Sequence, residues 1–265
     1  MDCGPSTVDH ITMKQIPNLF TLANLFLGCI AIVFALQTES VIIYINDDFG
    51  SSFNIPERLA WSGIFIMLAA VIDFLDGFVA RLLNATSPIG KQLDSLSDVV
   101  SFGVAPAVII YQLLRLSFAR EENGLDVSII WLLPAFILTC ASAYRLAKFN
   151  LLESQQYSFQ GLPTPATGLL IASFPLILHY NAAKFGIGNL LTNKWFLYAL
   201  ILLLSYLMIS KMPFMALKFS DRALKNNIPK IILAVVALIS LIFLQWLAIP
   251  IIFAFYILLS LIYKK

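Results

Sequence analysis

Apolar residues come in long blocks along the chain. They run over residues 16–37, 59–83, 93–118, 128–152, 166–183, 195–211, 230–245 and 248–263. Each is near the roughly 20 residues a helix needs to cross a hydrocarbon core. The pattern predicts an all-α integral membrane protein with about eight transmembrane helices. The last two blocks form one apolar run from Ile231 to Tyr263, longer than one untilted span requires. Pro250 has no backbone N–H to donate, so the break is expected near it.

Composition agrees. Of the 265 residues 60% are hydrophobic and 12% charged, where a soluble domain has about 45–50% and about 25%. A net charge of +2 is too small to suggest a nucleic-acid partner. Cys3, Cys29 and Cys140 are scattered and lack zinc or disulfide spacing; they read as packing residues. The opening MDCGPSTVDHITMKQIPN has no basic region followed by a cleavable apolar one, so the first block is expected to be a retained helix. No internal repeat, low-complexity tract or soluble domain stands out.

Charge distribution says more than net charge. Eight helices put both termini on one side. With the N-terminus cytoplasmic, five of the 17 Lys and Arg residues (Arg58, Arg115, Arg120, Lys184 and Lys194) fall outside and the other twelve inside. That is the asymmetry of the positive-inside rule, and it predicts a cytoplasmic (inner) membrane location with both ends in the cytoplasm.

Charge within apolar surroundings is expensive and marks function. The stretch DFLDGFVARLLNATSPIGKQLDSLSD, residues 73–98, carries four aspartates between two apolar blocks. Asp73 and Asp76 are three apart and Asp94 and Asp98 four apart, so on helices each pair shares a face. Gly77, Ala80 and Arg81 lie on the Asp73 face as well. Pro88 and Gly90 mark the turn between the two helices. The pairs can therefore face each other near the cytoplasmic ends of two antiparallel helices. Four clustered carboxylates repel one another and need compensation. Oxygen-only donors, with no His or Cys nearby, favour hard divalent ions. Two such ions sharing ligands suit phosphoryl substrates. Small Gly77 and Ala80 leave room for a ligand, and Arg81 supplies a fixed positive charge for phosphate. A cation pathway through a transporter is the other reading of intramembrane acids, but those sit near the midplane on broken helices.

The run Asp73-xx-Asp76-Gly77-xx-Ala80-Arg81, a spacer, and Gly90-xxx-Asp94-xxx-Asp98 resembles the signature of the CDP-alcohol phosphatidyltransferases, with every fixed position matched. The resemblance implies a six-helix core over residues 16–211, with residues 212–265 adding a basic cytoplasmic loop and two further helices. It implies that Asp73, Asp76, Asp94 and Asp98 hold two ions, Mg²⁺ or Mn²⁺, on the diphosphate of a CDP-linked lipid. Asp98 would also be the general base. The residues around the turn would hold the nucleotide, which by position points to Gly77, Ala80, Arg81, Ser87 and Gly90. Asn18 and Thr21, in PNLFT, are further nucleotide contacts by the same resemblance, with helix capping as the alternative role. Homodimers are common in that family.

The acceptor is read from other stretches. IPNLFTLANLFLG, DVVSFGVAPAVIIY, YRLAKFN and FQGLPTPATG resemble the phosphatidylserine synthase branch, which implies CDP-diacylglycerol and L-serine as substrates. That branch often has Arg where Lys148 stands. Arg145 and Lys148, three apart, could meet the serine carboxylate or the diphosphate, or simply anchor the helix end. GLPTP reads as a rigid loop between helices, either one that closes over the acceptor pocket or simply a structured turn. Glycerol 3-phosphate or an inositol phosphate is the alternative acceptor and would want more basic residues near the site. His10 and His179 are isolated. The loop at 218–230 reads as a topology and lipid-headgroup element, and the outer loop 38–57 suggests no function.

Overall fold

The computed structural model describes residues 7–37, 43–44, 52–53, 57–83, 85, 87–120, 127–152, 161–181, 186–212, 214–215 and 224–262. Cys3, most of the outer loop and residues 218–223 of the basic loop lie outside these. Helices α1 (Thr7–Leu36), α2 (Glu57–Leu82), α3 (Pro88–Asp98), α4 (Ala105–Phe118), α5 (Ile137–Leu152), α6 (Thr164–Asn181), α7 (Ile187–Leu191), α8 (Lys194–Ile209), α9 (Leu224–Leu244) and α10 (Ala248–Ile262) form the bundle. A π-helical turn, Val99–Val104, joins α3 to α4, and 3₁₀ turns precede α5. A two-residue antiparallel ribbon pairs Ile43 with Phe53 between α1 and α2.

Among the described residues five stretches are long and apolar enough to cross a membrane: Pro17–Leu36, Glu57–Leu82, Pro88–Phe118, Ile129–Leu151 and Ile228–Ile262. Helix α8 is apolar but shorter. Helices α4 and α6 are buried along nearly their whole length, so they form the centre.

The outer helices are packed inside out relative to a soluble protein. On α1 the buried residues are Pro17, Thr21, Asn24, Gly28, Ala31 and Ala35, recurring every three or four positions, while Leu19, Phe26 and Leu36 point outward. Lipid gives apolar side chains no reason to hide, so small residues line the helix interface and let backbones approach. Gly28 shows how tight this is: a Cβ there would stand 2.8 Å from the Ser101 Cα. Polar clamps add to the contact. Ser97 Oγ donates to the Thr21 carbonyl (3.1 Å), Ser101 Oγ to the Asn24 carbonyl (3.0 Å) and Gln112 Nε2 to the Ala35 carbonyl (2.9 Å).

Boundaries differ from expectation at informative places. Helix α1 starts ten residues before Pro17, and its polar first part lies ahead of the apolar span. Asn18 and Thr21 are therefore interior residues, and their capping role is excluded. Ser87 caps α3, accepting from the Gly90 amide at 3.0 Å, with Pro88 in the first turn where its missing N–H goes unfelt. Pro106, expected to lie mid-helix, sits just after the π turn, a local widening that goes with Pro and with functional positions. The break in the last apolar run is at Gln245, whose φ is +52°, followed by a 3₁₀ turn. Pro250 does not make it; it lies in the first turn of α10, where a donor is not needed.

The chain runs back and forth between two ends. Tyr180 at the end of α6 stacks on Trp246 beside the Gln245 break (6.3 Å), and Ser260 near the end of α10 bonds Met215 just before α9. So α9 runs out to the Trp246 end and α10 returns, and the two pack on each other. All four Trp, at 61, 131, 195 and 246, lie at helix ends away from the acidic run, as in an interfacial aromatic belt.

Candidate active site

The buried stripe of α2, through Ile66 and Ala69, continues in register to Asp73 and Asp76. Helix α3, packed on α1, brings Asp94 and Asp98 to the same place. One carboxylate oxygen from each of Asp73, Asp94 and Asp98 lies within 4.8 Å of the others. Asp76 stands beside this trio, buried, and accepts a hydrogen bond from the Thr21 hydroxyl of α1. Three helices thus hold the acids, through contacts that their spacing alone could not specify.

These donors fit a hard divalent cation. All are carboxylate oxygens, and like charges so close are stable together only with a cation or with protons. Asp98 adds a second sign: it is 7% exposed, and its Oδ1 is buried with no hydrogen-bond partner.

A cleft of about 830 Å³ opens beside the acids. Its walls include Asn18, Thr21, Asp73, Asp76, Gly77, Ala80, Arg81, Ser87, Gly90 and Asp94. Every residue read as a nucleotide contact therefore lines one space. Two of them also serve the fold. Ser87 is the α3 cap, and Asn18 Oδ1 would be 2.9 Å from a Cβ on Gly90, so Gly90 lets α1 and α3 close together. Gly77 is different. A Cβ there would meet nothing within 4 Å, so no protein contact demands glycine, and the open side faces the cleft. Gly77→Leu is expected to leave thermal stability unchanged or slightly higher, since Gly lowers helix stability by about 1 kcal/mol. It should weaken binding of the cytidine nucleotide that the resemblance implies by roughly tenfold or more through lost space. A thermal-melting curve and a CMP titration on the same sample check both halves.

Arg145 and Lys148 part company. Lys148 is half-exposed. Arg145 is buried, donates from Nη1 to Thr164 Oγ1 (3.1 Å), and is close enough to Asp98 for their charges to interact. Its Nε is buried without a partner. Thr164, in the GLPTP stretch, is the first residue of α6, so the junction of that loop with α6 reaches the site through a hydrogen bond.

One residue escaped the sequence reading. Asn24 is fully buried next to the Asp98 carboxylate, yet not in hydrogen-bonding geometry, and both its amide atoms lack partners. The signal was available: a lone amide mid-way through an apolar span, one turn beyond Thr21. Asn24, Asp98 and Arg145 thus bring buried, unpartnered polar atoms from α1, α3 and α5 close to one another.

Residues 14–204 match the family model for CDP-alcohol phosphatidyltransferase. A CDP-diacylglycerol–serine O-phosphatidyltransferase of Helicobacter pylori (strain ATCC 700392 / 26695) is 34% identical over 231 residues, 86% of this chain and 81% of that protein. The protein of the same name from Bacillus subtilis (strain 168) is 32% identical over 76% of this chain and 90% of its own length. An archaetidylserine synthase of Methanothermobacter thermautotrophicus is 38% identical over 120 residues, 44% of this chain and 47% of that protein.

Proposed function

The chain belongs to the CDP-alcohol phosphatidyltransferase family, and on that premise we propose that it transfers the phosphatidyl group of CDP-diacylglycerol to L-serine, giving phosphatidylserine and CMP. The relatives' names support the acceptor. The observation that carries the chemistry is the position of Asp98, which belongs to the acid trio and also lies close enough to Arg145 for their charges to interact.

The cleft wall takes the cytidine nucleotide. Gly77 and Ala80 give it room, Asn18, Thr21 and Ser87 offer polar contacts, and Arg81 faces phosphate charge. Asp73, Asp76, Asp94 and Asp98 are the residues that would hold two divalent ions, Mg²⁺ or Mn²⁺. When bound, such ions neutralise diphosphate charge and stabilise the departing phosphate. Arg145 takes the serine carboxylate as a bidentate partner, while the more exposed Lys148 supports charge at the rim. Serine's hydroxyl then points at Asp98, which accepts its proton. The serine oxygen forms a bond to the phosphorus next to the lipid. The bond from that phosphorus to CMP breaks, CMP keeps the electron pair, and Asp98 releases its proton to solvent.

The same reading gives eight membrane-crossing helices, counting α6, α8 and the two halves of the last run. It divides the chain into a core of residues 16–211 and an added part, 212–265. It puts the cleft and both termini on the cytoplasmic side of the inner membrane, as the Lys and Arg distribution supports, and it includes a homodimer.

Purified protein given CDP-diacylglycerol and labelled L-serine should form labelled lipid and CMP in equal amounts. CMP release only with glycerol 3-phosphate or an inositol phosphate would overturn the acceptor and leave the acid site standing.

A further inference from the structure

The family match ends at residue 204, before α9 and α10. Yet α10 is more than a lipid-facing addition: one face of it buries Tyr256, Leu259 and Ser260. We infer that this C-terminal helix completes the acceptor subsite, with Tyr256 as a positioning residue for Arg145. The inference rests on the reading above that Arg145 holds the acceptor carboxylate.

A chain of short contacts connects them. The Tyr256 ring stacks on Phe214 (6.0 Å between centroids, 22° between planes), and its hydroxyl donates to the Met215 carbonyl at 3.2 Å. Ser260 Oγ accepts from the Met215 amide, also at 3.2 Å. Both backbone polar groups of Met215 are therefore held by α10. The same strand of chain reaches the GLPTP loop. The Met212 carbonyl accepts from the Gly161 amide (2.9 Å), and the Leu162 amide donates to the Leu207 carbonyl (3.0 Å). That loop has no slack. Gly161 is left-handed at φ +81°, and a Cβ on it would stand 2.4 Å from the Met208 carbonyl oxygen. Three residues on, fully buried Thr164 accepts the Arg145 guanidinium. Tyr256 is also close enough to Arg145 for the two to interact electrostatically. Helix α10 thus fixes the segment that fixes the loop that fixes Arg145, and it stands near the guanidinium itself.

Arg145 is long and its Nε is unpartnered, so its aim depends on such supports. Small errors in aim weaken a positioned contact strongly. Removing Tyr256 should therefore loosen the acceptor and spare the nucleotide, which binds on the other side of the acids.

The test uses the full chain in lipid-supplemented detergent, with KM for L-serine and for CDP-diacylglycerol measured separately. Tyr256→Ala is expected to raise the serine KM about tenfold with the CDP-diacylglycerol KM within about twofold. Tyr256→Phe keeps the ring on Phe214 and loses one hydrogen bond, so about a threefold rise is expected. Ser260→Ala should behave like Tyr256→Phe, and these two milder variants decide the matter if Tyr256→Ala does not fold. In an Arg145→Gln background Tyr256→Ala should add no further rise in serine KM; a purely structural role would add in full. Serine KM unchanged in the folded variants, or both KM values rising in step, overturns the inference and leaves the function intact. A wild-type protein that ignores serine overturns the function, and this inference with it.

Discussion

Asp98→Asn is expected to lower phosphatidyl transfer at least about a thousandfold, because general-base removal alone is worth about 10²–10⁴. The amide keeps the size of the carboxylate and cannot take a proton from the acceptor hydroxyl. It also replaces one of the three carboxylates whose oxygens lie within 4.8 Å of one another by a neutral amide, a weaker cation ligand. Stability should move the other way. In cation-free protein the variant removes one of several clustered negative charges whose Oδ1 has no partner, so repulsion falls. Its melting temperature is expected to equal or exceed that of the wild type. Cation binding should be weakened but present, since Asp73 and Asp94 remain. Loss of turnover in a well-folded variant, read by CMP release and thermal melting together, is the expected pair of results. Full activity would remove Asp98 from the role of base. Low activity explained by a collapsed melting temperature would make it a structural residue.

Chelation is the second large effect. Stripping divalent ions should bring turnover to background, with Mg²⁺ or Mn²⁺ restoring it. Oxygen-only donors of this charge have no other evident means of facing a diphosphate. A ligand that binds only the folded state raises its stability by RT ln(1 + [L]/Kd), about 2.7 kcal/mol at a hundred times Kd. The melting temperature should accordingly rise with added Mg²⁺ or Mn²⁺, and rise less in Asp94→Asn. Turnover that survives chelation and gel filtration would sink the cation reading, whatever the melting curves show. No turnover with any acceptor, in folded protein that still binds cations, would favour transport over transfer.

How much of this was legible beforehand can be argued residue by residue. Apolar block length announced the helices, because a hydrocarbon core imposes a minimum span on any backbone that must satisfy its own hydrogen bonds. The acid run was legible as a site for a similar reason: charge does not persist beside apolar spans without a use, and the i, i+3 and i, i+4 spacings fix which face each pair shares. The turn followed from Ser87, Pro88 and Gly90, whose backbone preferences are local. Even the Gly77 opening was foreseeable, since the residue faces the same way as Asp73.

What was missed is non-local. Pro250 looked like the breaker of the last apolar run because it is the only residue there with an intrinsic reason to break a helix. The break fell at Gln245, where Trp246 stacks on Tyr180 of a helix far away in the chain. Asn18 and Thr21 looked like possible caps because proline and asparagine often open helices; the polar segment before them is helical too.

The sequence by itself determined the class of protein, the approximate helices and the acid cluster, because each depends on local periodicity or on the transfer energy of single side chains; the wall residues of the cleft came from the family resemblance. Only the tertiary structure decided that Asp98 rather than Asp76 joins the close trio with Asp73 and Asp94, that Arg145 turns inward while Lys148 does not, that Asn24 is buried beside Asp98, and that α10 holds the segment at Met215. Those outcomes depend on how helices rotate and close against one another. In a membrane that closure is set by small residues and a few hydrogen bonds between distant segments, and no one-dimensional pattern carries it.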